Sequence, residues 1–408
     1  MKDGFYFENE NAENIPPVSL EQTSEMKDVE IDLSEENTEI DTNNVNNFNN
    51  VINIQNPTNN AQNQQFQGYF QPNYYGYQHS YQPYFNQPVQ SPEETQLYFE
   101  KKAVKRTANH IGLGIILFFA FNFVVAFLLE LFVRTKEAKE FINNPAVILE
   151  LNIIITVLGF GLSGIFILKA QGTKAASLIS YGRPKKGITL PAIMTAVGFC
   201  STANVAVSML RSKFESFFPF EMPDIEQPEG ILGFIISVLA VAVAPALIEE
   251  FLFRSAIMGS LLKFGKGFAI FTSSLIFGFI HGNLMQIPFA FLVGLVIGVM
   301  VVETESFWTG VIIHFINNFI SVCLDYSSGL MEEELFEILN LLILAFLIIV
   351  SFLGFYILSV KNKNLFGFKK NGQLSTSMQK FGWFSSSASI IVFYSLTLLE
   401  VLAVQFAL

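Results

Sequence analysis

Residues 101–133 read KKAVKRTANHIGLGIILFFAFNFVVAFLLELFV. Lys101, Lys102, Lys105 and Arg106 form a basic cluster, and the stretch Ala108–Val133 that follows is almost wholly apolar. At about 1.5 Å per residue such a helix crosses roughly 30 Å of hydrocarbon. A basic flank before an apolar run marks the cytoplasmic side. The same reading works outward along the chain. Further apolar runs lie at about Ala146–Leu168, Gly187–Leu210, from Ile231 onward, Gly267–Phe279, Ile287–Val302, Phe307–Leu324, Phe336–Val360 and Phe384–Ala407. The runs are continuous rather than alternating, which excludes a barrel. Lys169, Lys174, Arg183, Lys185 and Lys186 place one loop inside, and Lys361, Lys363, Lys369 and Lys370 another. The acidic loop Arg211–Glu229 fits the outside. The expected fold is all-α: a polytopic helical membrane protein with about eight core transmembrane helices, eight or nine in all depending on whether the last span is additional.

Composition agrees. The 408 residues are 51% hydrophobic and 14% charged, with 44 Phe and a net charge of −11. Soluble proteins carry about 25% charged residues. The negative charge is confined to one part: residues 1–100 hold 16 Asp and Glu against 2 Lys, while the remainder holds 19 against 22 basic residues. A soluble enzyme and a nucleic-acid binder with a basic face are both excluded. Residues 1–98 have no apolar run able to form a core, and Asp41–Gln90 contains 13 Asn and 10 Gln. This segment is expected to be a disordered cytoplasmic tail, either a spacer or an arm that docks a partner. No secretory signal is visible in it. Residues 99–365 then form the membrane core, and 366–408 a C-terminal loop and additional helix. Cys200 and Cys323 stand alone in apolar runs and read as small buried side chains.

Function is sought where hydropathy is violated, because a charge at mid-membrane costs roughly 2.5–3.5 kcal/mol on insertion scales. Three places stand out. In Glu249-Glu250-Phe251-Leu252-Phe253-Arg254, Glu250 and Arg254 are one helical turn apart and can pair, while Glu249 points about 100° away. Phe277-Gly278-Phe279-Ile280-His281 puts a histidine in an apolar helix. His314 and Asn318 leave one face of another helix. Glu249, His281 and His314 can activate water in two ways. They can ligate one divalent metal, Zn above all, with an open position for water. Alternatively, Glu249 can act as general base while His281 positions the water, without a metal. In both, His314 and Asn318 can donate hydrogen bonds to the oxyanion of a peptide carbonyl.

Glu-Glu-x-x-x-Arg (Glu249, Glu250, Arg254), Phe-x-x-x-His (Phe277, His281) and His-x-x-x-Asn (His314, Asn318), in this order within a helical membrane domain, resemble the CPBP family. These are the CAAX proteases and bacteriocin-processing enzymes, also called the Abi family or type II CAAX prenyl endopeptidase-like proteins. The resemblance implies an eight-helix core with the site in a cavity between helices. It implies that Glu249 and His281 handle the catalytic water or metal, that His314 and Asn318 stabilise the oxyanion, and that Glu250 and Arg254 support them. The tail and the last helix lie outside the family pattern. The expectation is therefore an intramembrane endopeptidase acting on a membrane peptide or protein in the lipid bilayer of an integral, multi-pass protein of a cell membrane. The Asn-, Ile- and Phe-rich composition hints at a bacterium, where pheromone or bacteriocin precursors suit better than prenylated proteins. Two readings from other classes share these features: a non-proteolytic immunity protein or scaffold that binds a bacteriocin or other partner, and a transporter with Glu249 and the histidines as a proton relay.

Overall fold

The computed structural model describes residues 91–215, 227–363, 365, 367 and 373–406. The expectations for residues 1–90 of the tail, for most of the acidic loop and for Lys369 and Lys370 lie outside these. Pro92–Tyr98, expected to belong to the disordered tail, is helical because Ser91 and Glu94 cap a helix there. Among the described residues there is helix and no strand. Seven helices among the described residues are long and apolar enough to cross a membrane, or eight if one bent pair counts as a span.

The first helix, α1 (Pro92–Phe132), starts where the chain can cap it. The Ser91 side chain accepts from Glu94 N at 3.1 Å, Glu94 Oε2 accepts from Ser91 N at 2.9 Å, and Pro92 supplies a preset φ at the first position. A short surface helix, α2 (Lys136–Ile142), leads into α3 (Pro145–Ala170), which contains a π-helical turn at Thr156–Phe160. After the short α4 (Ala175–Leu178) comes α5 (Thr189–Glu215). The element that carries the two glutamates is α6 (Gly230–Phe264), helical throughout, with π segments at Val238–Val243 and Phe251–Met258. Then follow α7 (Lys266–Phe279), α8 (Gln286–Thr304), α9 (Phe307–Ser328) and α10 (Glu333–Lys361). The C-terminal pair, α11 (Ser377–Ser385) and α12 (Ala388–Phe406), is bent by 73°. With 14 residues, α7 is too short to span, and it ends at a break that carries His281.

Packing follows membrane rules, with small residues where backbones approach and apolar side chains turned outward. On α1, Gly112 lies against Ser389 of α12, whose Oγ donates to Asn109 O at 3.1 Å. Antiparallel α5 and α10 meet through glycines on both sides. A Cβ on Gly354 would sit 2.7 Å from Met194 Cβ and 2.8 Å from Pro191 O, and Ser351 Oγ donates to Thr195 O at 2.8 Å. The outer face of α10 shows Leu341, Leu342, Phe346, Ile349 and Phe352 unburied, as lipid contact requires. Inside, a run of rings leads from the periphery to the glutamate helix. Phe118 stacks on Phe160 with centroids 4.3 Å apart. Phe160 meets Phe253 edge-on at 6.0 Å, and Phe253 meets Phe277 at 4.8 Å.

Candidate active site

The carboxylates at 249 and 250 diverge as the helical turn requires. Glu250 is fully buried and serves two partners. Its Oε2 lies 3.0 Å from Arg254 Nε, and its Oε1 lies 3.0 Å from His314 Nδ1. The Arg254–Glu250 pair matches the i, i+4 expectation; the bridge to His314 on α9 was not visible in the sequence. Gly310, one turn before His314, makes room for it: a Cβ there would stand 2.7 Å from Glu250 Oε2. Gly310, His314 and Asn318 thus form one stripe along α9. Arg254 is also completely buried, and its Cζ sits 5.3 Å from the centroid of the Phe277 ring, a cation–π contact.

Phe277 is the hub of the site. Besides Arg254 and Phe253 it touches both histidines edge-on, His281 at 5.0 Å and His314 at 5.9 Å between centroids. Its carbonyl sets the tautomer of His281: Nδ1 lies 2.7 Å from Phe277 O, which can only accept, so Nδ1 carries the hydrogen and Nε2 is left bare. His314 is arranged alike. With Nδ1–H committed to Glu250, its Nε2 faces Glu249 Oε2 at 3.9 Å. That gap is too long for a direct hydrogen bond and suits a water touching both groups.

Asn318 is oriented from two sides. Pro245, inside α6, has no N–H for the carbonyl four residues earlier, that of Val241. Asn318 Nδ2 supplies the missing donor at 2.8 Å. Asn317 Nδ2 donates to Asn318 Oδ1 at 3.0 Å, which fixes the amide so that its second N–H remains for a ligand. Sequence reading missed both Pro245 and Asn317, although a proline within a membrane helix is itself a signal that one carbonyl needs an outside donor.

Glu249, Phe277, His281, His314 and Asn318 all line one cavity of about 530 Å³. Polar side chains extend it: Asn122 from α1, Asn152 and Thr156 from α3, Gln286 from α8 and Ser321 from α9. Glu250 and Arg254 lie behind this wall. Both histidines have the tautomer a metal ligand would have, with the far nitrogen held by a carboxylate or a carbonyl. Yet among the described residues no three His, Cys, Asp or Glu side chains are arranged to hold one metal ion. As placed, Glu249, His281 and His314 therefore do not fit a three-ligand centre.

Residues 231–320 match the family model described as type II CAAX prenyl endopeptidase Rce1-like. The matched segment contains every motif residue from Glu249 to Asn318, in agreement with the resemblance read from the motifs. No curated protein and no solved structure matches the chain.

Proposed function

We propose that this multi-pass membrane protein, which carries an Rce1-like segment, is an intramembrane endopeptidase that hydrolyses a peptide bond of a membrane-associated peptide or protein, with Glu249 as general base. The observation that carries the reading is the convergence of one lightly exposed carboxylate, two bare imidazole nitrogens and one oriented amide on a single cavity between helices.

A water between Glu249 and His314 Nε2 donates one hydrogen to each and keeps a lone pair free for attack. Glu249 takes one proton as the oxygen bonds to the carbonyl carbon. The negative charge moves to the carbonyl oxygen, where the second N–H of Asn318 donates to it. Collapse breaks the C–N bond, and Glu249 returns the proton to the departing amine, leaving a carboxylic acid and an amine. The motif resemblance implies that His314 joins Asn318 at the oxyanion. The bond from His314 Nδ1 to Glu250 supports a place beside the water instead, so Asn318 is the oxyanion donor in this scheme.

The test compares the purified full-length protein with Glu249→Gln on a library of membrane-associated peptides. The expected result is cleavage by the native protein, a loss of about 10²–10⁴-fold in the variant, and unchanged thermal unfolding. Equal cleavage by both would remove Glu249 from the chemistry. Cleavage by the native protein is expected to survive prolonged chelation. Loss on chelation with return on adding Zn²⁺ would reinstate the metal route.

A further inference from the structure

A second cavity, also of about 530 Å³, lies among helix ends away from Glu249 and is lined by Lys185, Lys186, Lys266, Lys361, Glu303 and Asn362. Four elements contribute. Lys185 and Lys186 immediately precede α5, Lys266 opens α7, Glu303 lies in the last turn of α8, and Lys361 ends α10. Four cations thus face one carboxylate around a single hollow.

Two lysines brace the walls. Lys185 Nζ pairs with Glu305 Oε1 at 2.7 Å, and Lys361 Nζ donates to Gly187 O at 3.1 Å. The one carboxylate among the described lining residues, Glu303, is engaged by Asn362 Nδ2 at 2.6 Å. Lys186 and Lys266 are exposed, and among the described residues neither has an ion-pair partner. Like charges held around a concavity repel unless an anion sits among them. The start of α7 adds to the demand: Gly265, at φ 121°, provides no side-chain cap for this 14-residue helix, whose positive dipole end begins at Lys266.

Position selects the source of the anion. Helices α5, α8 and α10 are all of membrane-crossing length and all have an end here, which sets the hollow at the level of lipid headgroups. Lysines at that level extend toward phosphate. We propose that this basin binds the phosphate of an anionic phospholipid and ties the ends of α5, α7, α8 and α10 to the basic leaflet-facing side of the protein.

The experiment uses the full-length protein in mild detergent and native mass spectrometry, with phosphatidylglycerol, phosphatidylcholine and glycerol phosphate as probes. Retained phosphatidylglycerol, weak retention of phosphatidylcholine and no displacement by glycerol phosphate are expected. Lys186→Ala with Lys266→Ala should weaken phosphatidylglycerol retention on the order of 20-fold. Lys186→Arg with Lys266→Arg should keep it, which separates charge from misfolding. Equal retention of phosphatidylglycerol by the native and double-Ala proteins would overturn the site. Equal retention of the two lipids would overturn the choice of an anionic lipid, and displacement by glycerol phosphate would identify a soluble phosphate site instead.

Discussion

Glu249 and Glu250 are neighbours in sequence, and the 100° turn of a helix sends them to different work. Glu249 looks into the cavity, while Glu250 is sealed between a guanidinium and an imidazole. Replacing Glu250 by Ala leaves Arg254 charged, buried and without its carboxylate, which costs roughly 3–5 kcal/mol. Thermal unfolding in detergent should show the loss, and adding Arg254→Met should recover a part of it. Recovery is not expected for activity, because His314 would still lack the acceptor that sets its tautomer. An unfolding midpoint for Glu250→Ala equal to that of the native protein would contradict the buried pair. Asn317 and Gly310 are quieter members of the same arrangement. One turns the amide of Asn318, and the other leaves space for the glutamate.

The helices are imperfect where the site is built. In α6 the π segments and Pro245 interrupt the regular ladder, and Asn318 of α9 repairs it at Val241. Pro245→Ala returns an N–H to the helix, which then competes with Asn318 for that carbonyl. The expected result is a fall in kcat of about fivefold, the worth of one hydrogen bond, with KM little changed. A native kcat would show that Val241 does not orient the amide. Helix contacts far from the site carry a different sensitivity. Gly354 lets α10 approach α5 at van der Waals distance. Gly354→Leu overpacks that seam and should destabilise by about 1–3 kcal/mol, seen as a lower unfolding midpoint, with Gly354→Ala milder. A midpoint unchanged by Leu would mean that the two helices can part without loss.

At the scale of the molecule, the helix ends sort into two sides. The loop 171–188, the α6–α7 junction and the ends of α8 and α10 meet at one end of the bundle. Lys185 N bonds Thr304 O at 3.2 Å and Lys361 Nζ bonds Gly187 O at 3.1 Å. The acidic start of α10, Glu332 to Glu334, lies at the other end of a 29-residue helix. Cysteines introduced at Lys174 and at Glu333, in a background of Cys200→Ala and Cys323→Ser, should react with an impermeant maleimide from opposite sides of intact membranes. Under the positive-inside rule the Lys174 label is expected from the cytoplasmic side. Labelling of both from one side would refute the path of α10.

The run of apolar segments determined the helical membrane fold and nearly every helix position, because lipid leaves the backbone no partner but itself. It also exposed Glu249, His281, His314 and Asn318, since polar groups in such runs are costly and few. The sequence alone determined the Glu250–Arg254 pair, whose partners are one turn apart. What it did not contain is the set of contacts between helices far apart in the chain: Glu250 with His314, Asn318 with Val241, and the four lysines around one hollow. Those depend on how helices cross, and crossing is decided by glycine seams and interlocking rings distributed over the whole bundle. The tertiary structure alone therefore decided which nitrogen of each histidine faces the cavity, and with it the chemistry the site supports.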